Sequence, residues 1–260
     1  MRGKINGWNE IETSDISDYD RYIAICRNLK YTKEHYDLRY YSDMHEGVKS
    51  NPVAQIHLAD LSSKICGTKV LSIGCGTGIM EYWLKQKRPE VEIIGTDFTV
   101  TDIQKELWDK YELDVTISEA ASQPFTDDSF DTVYTSHVLE HVINLKDVII
   151  ESIRLSKIAA VHLVPINLNN PDHIHFFKLG AIDNEHRTQE ANIDLKVLAD
   201  EVIEVLKVRY PNMSYEWEIS CPRDGSRDYG NINFHIRKPD RPDGLMPCFL
   251  ISFFKMGQQK

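Results

Sequence analysis

The sequence predicts a doubly wound α/β protein on a mostly parallel sheet, and three observations predict it. Short β-branched runs alternate with helical stretches over residues 67–165. That is the pattern of βαβ units whose sheet is covered on both faces. The first of these strands runs directly into Gly74-Cys75-Gly76-Thr77-Gly78, with a helix behind it. The next strand closes on an acidic residue, Asp97, 19 residues after Gly78. In such sheets a ligand binds beyond the carboxyl ends of the strands, at the switch point.

The elements follow in order. Residues 1–66 read as a helical, aromatic cap, with six of the twelve tyrosines between Tyr19 and Tyr41. Residues 67–260 read as one domain with an insertion at about 222–246. A helix over 51–65 is punctuated by Ser50 or Asn51 as cap and Pro52 in its first turn, and Gly67 ends it. Val53, Ile56, Ala59 and Ile65 recur at helical spacing within it. The first strand spans 69–73, and a helix over 79–87 stops at Pro89. Strands at 91–97, 114–118, 130–135 and 159–165 alternate with helices at about 101–111 and 146–157. Residues 166–260 begin with a loop, continue with a helix at 193–208 and end in strands at 215–221 and 247–255.

Composition excludes several function classes. The chain carries 30 Lys+Arg against 40 Asp+Glu, a formal net charge of −10, and has no basic block. A duplex nucleic-acid partner is therefore disfavoured, since gripping phosphates calls for a basic stripe. No apolar run reaches the roughly 18 residues of a membrane span, and the first residues lack the apolar core of a secretion signal. The five cysteines, Cys26, Cys66, Cys75, Cys221 and Cys248, contain no C-x-x-C pair. The expectation is a cytoplasmic protein with reduced thiols and a small-molecule substrate; a homodimer stays open.

The glycine spacing narrows the ligand. Gly74, Gly76 and Gly78 form G-x-G-x-G, and Ile79 stands where a dinucleotide fingerprint needs its last glycine. No Gly-Lys-Ser/Thr follows, so a P-loop is also absent. Missing Cβ atoms let the chain turn sharply and let backbone N–H groups approach a ligand. A carboxylate at Asp97 can accept both hydroxyls of a ribose. Ile73, Gly74, Cys75, Gly76, Thr77, Gly78 and Asp97 are the candidate cofactor-binding residues.

At these residues the sequence resembles the class I S-adenosylmethionine-dependent methyltransferases, small-molecule branch. The resemblance rests on VLSIGCGTG at 70–78, IIGTD ending at Asp97, and EAASQPFTDDSFDTVYTSHVLEHV at 119–142. It implies a seven-stranded sheet closed by an antiparallel hairpin, and S-adenosyl-L-methionine as cofactor. It also implies that Glu119 and Ala120 flank the adenine, with Phe98 and Ser136 in the same set. The family usually carries an acidic residue two before the first glycine; this chain has Ser72 there, which implies a weaker hold on the methionine end.

Methyl transfer to oxygen needs a base, and histidine serves near neutral pH. His137 and His141 stand one helical turn apart after the fourth strand; His173 and His175 follow the fifth. Both segments emerge at the carboxyl edge, so these four are the catalytic candidates. Tyr31 and Tyr36 are candidates for an aromatic lid over the cofactor, against a plain core role. Arg223 and Arg227, in the insertion, suit an anionic substrate, against a solvated loop. The expected function is O-methylation of a sugar, sugar nucleotide or other secondary metabolite, with no metal. Two alternatives stay open: a metal-assisted RNA ribose 2′-O-methyltransferase using Glu140 and the histidines, and an inactive cofactor-binding partner subunit.

Overall fold

The computed structural model describes residues 2–3, 11–12, 45–46, 49, 52–142, 144–167, 170–177, 188–211, 214–220 and 248–256. Strands β1 (Arg2–Gly3) and β2 (Ile11–Glu12) form a short antiparallel ladder. Helix α1 (Pro52–Lys64) leads to β3 (Lys69–Ile73), α2 (Ile79–Lys87), β4 (Glu92–Asp97), α3 (Asp102–Tyr111) and β5 (Asp114–Ile117). Then come β6 (Phe130–Ser136), α4 (Leu145–Leu155), β7 (Ser156–Asn167), β8 (Asn170–Phe177), β9 (Thr188–Asp194), α5 (Leu195–Arg209), β10 (Ser214–Ser220) and β11 (Cys248–Met256).

The sheet order is β10-β11-β7-β6-β3-β4-β5. Strands β3 to β7 are parallel to their neighbours; β11 joins β7 antiparallel and β10 joins β11 antiparallel. The chain builds outward from β3 through β4 to β5, then returns to β6 on the other side of β3. The switch point therefore lies between β3 and β6, where the turns after both strands meet.

Among the described residues two further strands lie off this seven-strand path and bring the sheet to nine. Strand β7 pairs antiparallel with β8, which pairs with β9. The sequence reads residues 166 onward as beginning with a loop, yet 170–177 form β8 in spite of turn formers such as Asn170, Pro171 and Asp172. Ladder partners on both sides override those turn propensities.

Alternation along the strands sorts the core into two layers. Val70, Tyr134, Val161 and Leu163 face α1 and α2, packing with Leu58, Leu61 and Leu84. Ala160, Val164 and Phe253 face α4 and α5, packing with Val148, Ile149, Leu198 and Val202. Leu71, Ile73, Phe130 and Val133 complete that layer around Leu155. Helix α1 thus belongs to the layer that covers the sheet. The remainder of residues 1–66 lies almost wholly outside the described residues, as does the insertion at about 222–246. Among the described residues no helix is long and apolar enough to cross a membrane.

Local chemistry supports the boundaries. Thr101 caps α3 in a capping box: its side chain accepts from the Gln104 N–H, and Gln104 Oε1 accepts from the Thr101 N–H. Glu112 ends the helix in a left-handed conformation, φ 50°. At Gly67, φ 71°, an added Cβ would meet the Asp131 side chain at 2.4 Å. Asp131 Oδ2 accepts there from the N–H groups of Thr68 and Lys69.

One histidine is sealed within the sheet. His162 on β7 is fully buried, shares a hydrogen bond between Nδ1 and Thr135 Oγ1 at 2.9 Å, and leaves Nε2 without a partner among the described residues. Burial pushes it down to about 3 from an ordinary 6.5. It stays neutral in the fold but protonates once unfolded, so its stabilisation is complete above about 6.5 and drains away as pH falls toward 3. Glu81 and Asp97, raised by burial, act in the opposite sense at acid pH. The clean readout is a difference between proteins. His162→Phe should lose less melting temperature than the unsubstituted protein between pH 7 and pH 5; parallel melting curves against pH would refute the assignment.

Candidate active site

The turn after β3 is held by its own chain. Gly74, Gly76 and Gly78 all have positive φ, 74°, 55° and 78°, which an L side chain adopts only at a cost. The N–H groups of Gly74 and Cys75 both donate to the Thr96 carbonyl, at 2.7 and 2.9 Å, and that of Gly78 donates to the Cys75 carbonyl at 2.9 Å. The Gly76 N–H donates to Asp97 Oδ2 at 2.8 Å. The Gly76 carbonyl accepts from Trp108 Nε1 at 2.9 Å and from Gln104 Nε2 at 3.3 Å, both on α3. The sequence suggested amides offered to a ligand; these four are already engaged, and the glycines serve sharp turning and close approach instead.

Asp97 is 4% exposed. Oδ1 accepts from the Thr99 N–H and Oγ1, each at 3.0 Å, and Oδ2 holds Gly76. Burial raises this carboxylic acid, and the donors of Thr99, Gly76 and Phe98 pull it back toward ionisation. A ribose diol here would share or exchange donors that the chain itself supplies.

A second wall comes from the loop after β6. A Cβ on Gly74 would lie 2.5 Å from Val138 Cγ2, so the absence of a side chain lets this loop close onto the glycine turn. His137 directly precedes Val138. The spacing of His137 and His141 suggested one continuous helical turn; instead His137 is left-handed at φ 55°, its N–H donates to the Leu163 carbonyl at 3.0 Å, and only Leu139–His141 form a 3-10 turn. The ladder to β7 decides this geometry. Ser136, half-buried, ends β6.

The N-terminal segment contributes two histidines that the sequence reading passed over. His57 on α1 packs its ring 5.9 Å from that of His137. Burial, with help from His137, lowers His57 to about 3, so it is neutral at pH 7. His45, buried, stands between Thr77 Oγ1 (3.4 Å from Nδ1) and the Tyr111 hydroxyl (3.2 Å from Nε2). Desolvation also lowers His45, with Glu46 opposing. These residues lacked any local pattern in the sequence; their partners are 32 to 80 positions away.

Behind the turn sits a buried polar trio. Glu81 Oε1 accepts from Ser72 Oγ at 2.6 Å and from the Tyr134 hydroxyl at 2.7 Å, while Oε2 has no partner among the described residues. Ser72 and Tyr134 are register partners on β3 and β6. Burial pushes Glu81 up and its two hydroxyl donors pull it down.

The other candidates are distributed as follows. Ile73 is a core residue, so only its backbone faces the turn. Cys75 is buried with Sγ against Gly95, where an added Cβ would come within 2.9 Å; desolvation raises its thiol well above the ordinary value. Thr77 is buried under His45, and Phe98 is half-buried. Glu119 is exposed in a turn whose carbonyl accepts from Gln123 Nε2 at 2.8 Å, and Ala120 packs on the core from outside. His173 and His175 lie in β8, at positions opposite Asp194 and Asn192 of β9, and β8 runs beside the Leu139–His141 turn. That brings the two histidine-bearing segments side by side. Tyr31, Tyr36, Arg223 and Arg227 lie outside the described residues.

Comparison with known proteins agrees with this geometry. The family model described as "Methyltransferase domain" matches residues 71–163, from within β3 to within β7. The plantazolicin methyltransferase BpumL, solved with a desmethylated plantazolicin analogue and SAH, is 13% identical with a TM-score of 0.59, covering 92% of this chain and 98% of its own. A SAM-dependent methyltransferase from Thermotoga maritima, titled a possible histamine N-methyltransferase, is 12% identical with a TM-score of 0.52, covering 85% and 96%. No curated protein matches the chain by sequence. At these identities the solved structures establish the fold alone.

The contact between the two walls is testable. Gly74→Ala adds both left-handed strain and a clash with Val138, and should destabilise by about 1–3 kcal/mol, the usual range for overpacking. Adding Val138→Ala should recover part of the loss in melting temperature. A Gly74→Ala protein that melts like the unsubstituted one would show that the walls do not meet.

Proposed function

The chain carries a methyltransferase domain of the class I fold, and from that premise we propose an S-adenosylmethionine-dependent O-methyltransferase acting on a small polar acceptor. The residues present fit such a cofactor. The strand ends supply a tight glycine turn braced by Asp97, and a buried carboxylate oxygen behind it lacks a partner among the described residues. The turn from Gly74 to Gly78, by letting a ligand approach closely, would border the ribose side with Asp97 and Phe98; Glu119, Ala120 and Ser136 would hold the adenine side. Tyr31 and Tyr36 are proposed to close over it. When bound, the cofactor supplies a methyl group made electrophilic by a sulfonium.

The protein's own contribution is positioning and proton removal. His137 is the proposed base, because its loop abuts the glycine turn through Val138 and Gly74. That junction is the observation that carries the reading. It supports the reading by setting the loop that carries His137 against the turn that would hold the cofactor. His57, kept neutral by burial, adds no competing positive charge while His137 takes the acceptor's proton. His141, His173 and His175 stand second in line, on the neighbouring turn and strand. Arg223 and Arg227 are proposed to recognise an anionic acceptor such as a sugar nucleotide, by the fit of a guanidinium fork to phosphate.

The first test is calorimetric. S-adenosylhomocysteine should bind the purified protein, and a nicotinamide dinucleotide should not. Against a panel of hydroxylated acceptors, His137→Asn should lower kcat by about 10²-fold or more and leave the affinity for S-adenosylhomocysteine unchanged. Undiminished kcat in that variant would remove His137 as the base. Transfer to RNA that vanishes with a chelator would replace this reading by the metal-assisted one.

A further inference from the structure

The least expected group in the structure is the carboxylate of Glu81. It is 3% exposed on the first turn of α2, beside the glycine turn and facing the sheet. Two neutral hydroxyls donate to it, both at Oε1, and its own backbone N–H adds to them. Among the described residues Oε2 is sealed from solvent and has no hydrogen-bond partner. A carboxylate buried this way is costly unless a cation or further donors meet it, by several kcal/mol per ion in real proteins. A glutamine in the same place would have satisfied both hydroxyls at lower cost.

The position indicates what the free oxygen is for. Ser72, which donates to Glu81, is two residues before Gly74 at the end of β3, and Tyr134 lies at the end of β6. The carboxylate is therefore at the switch point, behind the turn that Asp97 braces from the other side. Two carboxylates flanking one turn favour a ligand that brings positive charge. The proposed cofactor brings an α-ammonium on its methionine end, separate from the sulfonium.

We infer that Glu81 supplies the carboxylate that receives the cofactor's α-ammonium, reaching from helix α2 to a place where the strand offers only the hydroxyl of Ser72. This rests on the S-adenosylmethionine reading above and assigns the specificity of its amino-acid end. Ser72 and Tyr134 are positioning residues: by filling Oε1 they aim Oε2 at the ligand.

The experiment uses two ligands and three proteins. The ligands are S-adenosylhomocysteine and its deaminated analogue, which keeps the carboxylate and lacks the ammonium. The proteins are the full chain, Glu81→Gln, and the double variant Ser72→Asp/Glu81→Ala, which returns a carboxylate to the strand. Glu81→Gln should bind S-adenosylhomocysteine about 10- to 100-fold more weakly, the range of a charge-assisted hydrogen bond. Its affinity for the deaminated analogue should not fall. The double variant should regain preference for the ammonium-bearing ligand, and it decides the matter if Glu81→Gln does not fold. Equal losses for both ligands, or no loss for S-adenosylhomocysteine, would overturn the assignment while leaving the cofactor reading intact. If the unsubstituted chain bound neither ligand, the cofactor reading itself would fall.

Discussion

One hydrogen bond organises the site: the Gly76 N–H donating to Asp97 across the ends of two neighbouring strands. It fixes the middle of a turn whose start is already tied to the Thr96 carbonyl. A charge-assisted bond of this kind contributes about 1.5–3 kcal/mol, less than the several kcal/mol needed to bury an ion. Asp97 can be buried only because Thr99 adds two more donors. The turn and the carboxylate are therefore mutually dependent, and the close packing of β3 against β4 is what lets both exist.

The second dependence runs across the switch point. Strands β3 and β6 are neighbours although their register partners lie 62 positions apart in the chain, as Ser72 and Tyr134 do. Their two loops meet where Gly74 accommodates Val138. The turns after β3 and β6 are thus brought together by sheet order. Helix α1 then closes the arrangement by packing His57 on His137, so the N-terminal segment takes part in the site through that helix and through His45.

Buried polar groups are concentrated at this edge of the sheet. Asp97 is saturated with donors, whereas Glu81 keeps one oxygen open. The contrast is informative because both are similarly buried. A carboxylate whose oxygens are both met holds its turn in place; one with an open oxygen carries a cost in the free protein that a proton or a donor from a ligand relieves. His162, farther inside the sheet, has a similar open nitrogen but is neutral, so its cost is the smaller one of an unpaired polar atom.

By itself the sequence determined the order and kind of the central elements, because strand and helix periodicities are local. The five parallel strands and their helices fall within a few residues of the expected spans, and the glycine turn and Asp97 were legible as a pair. Tertiary structure decided the rest, through contacts between distant positions. The Asn-Asn-Pro-Asp cluster reads as loop, yet β7 and β9 make residues 170–177 a strand. His137 and His141 have helical spacing, yet the bond from His137 to Leu163 holds a left-handed bend. A glutamate in the first turn of a helix reads as a solvated charge favoured by the dipole. Only the fold turns Glu81 inward onto Ser72 and Tyr134, 9 and 53 positions away, because the direction of a side chain depends on which face of its helix the sheet covers.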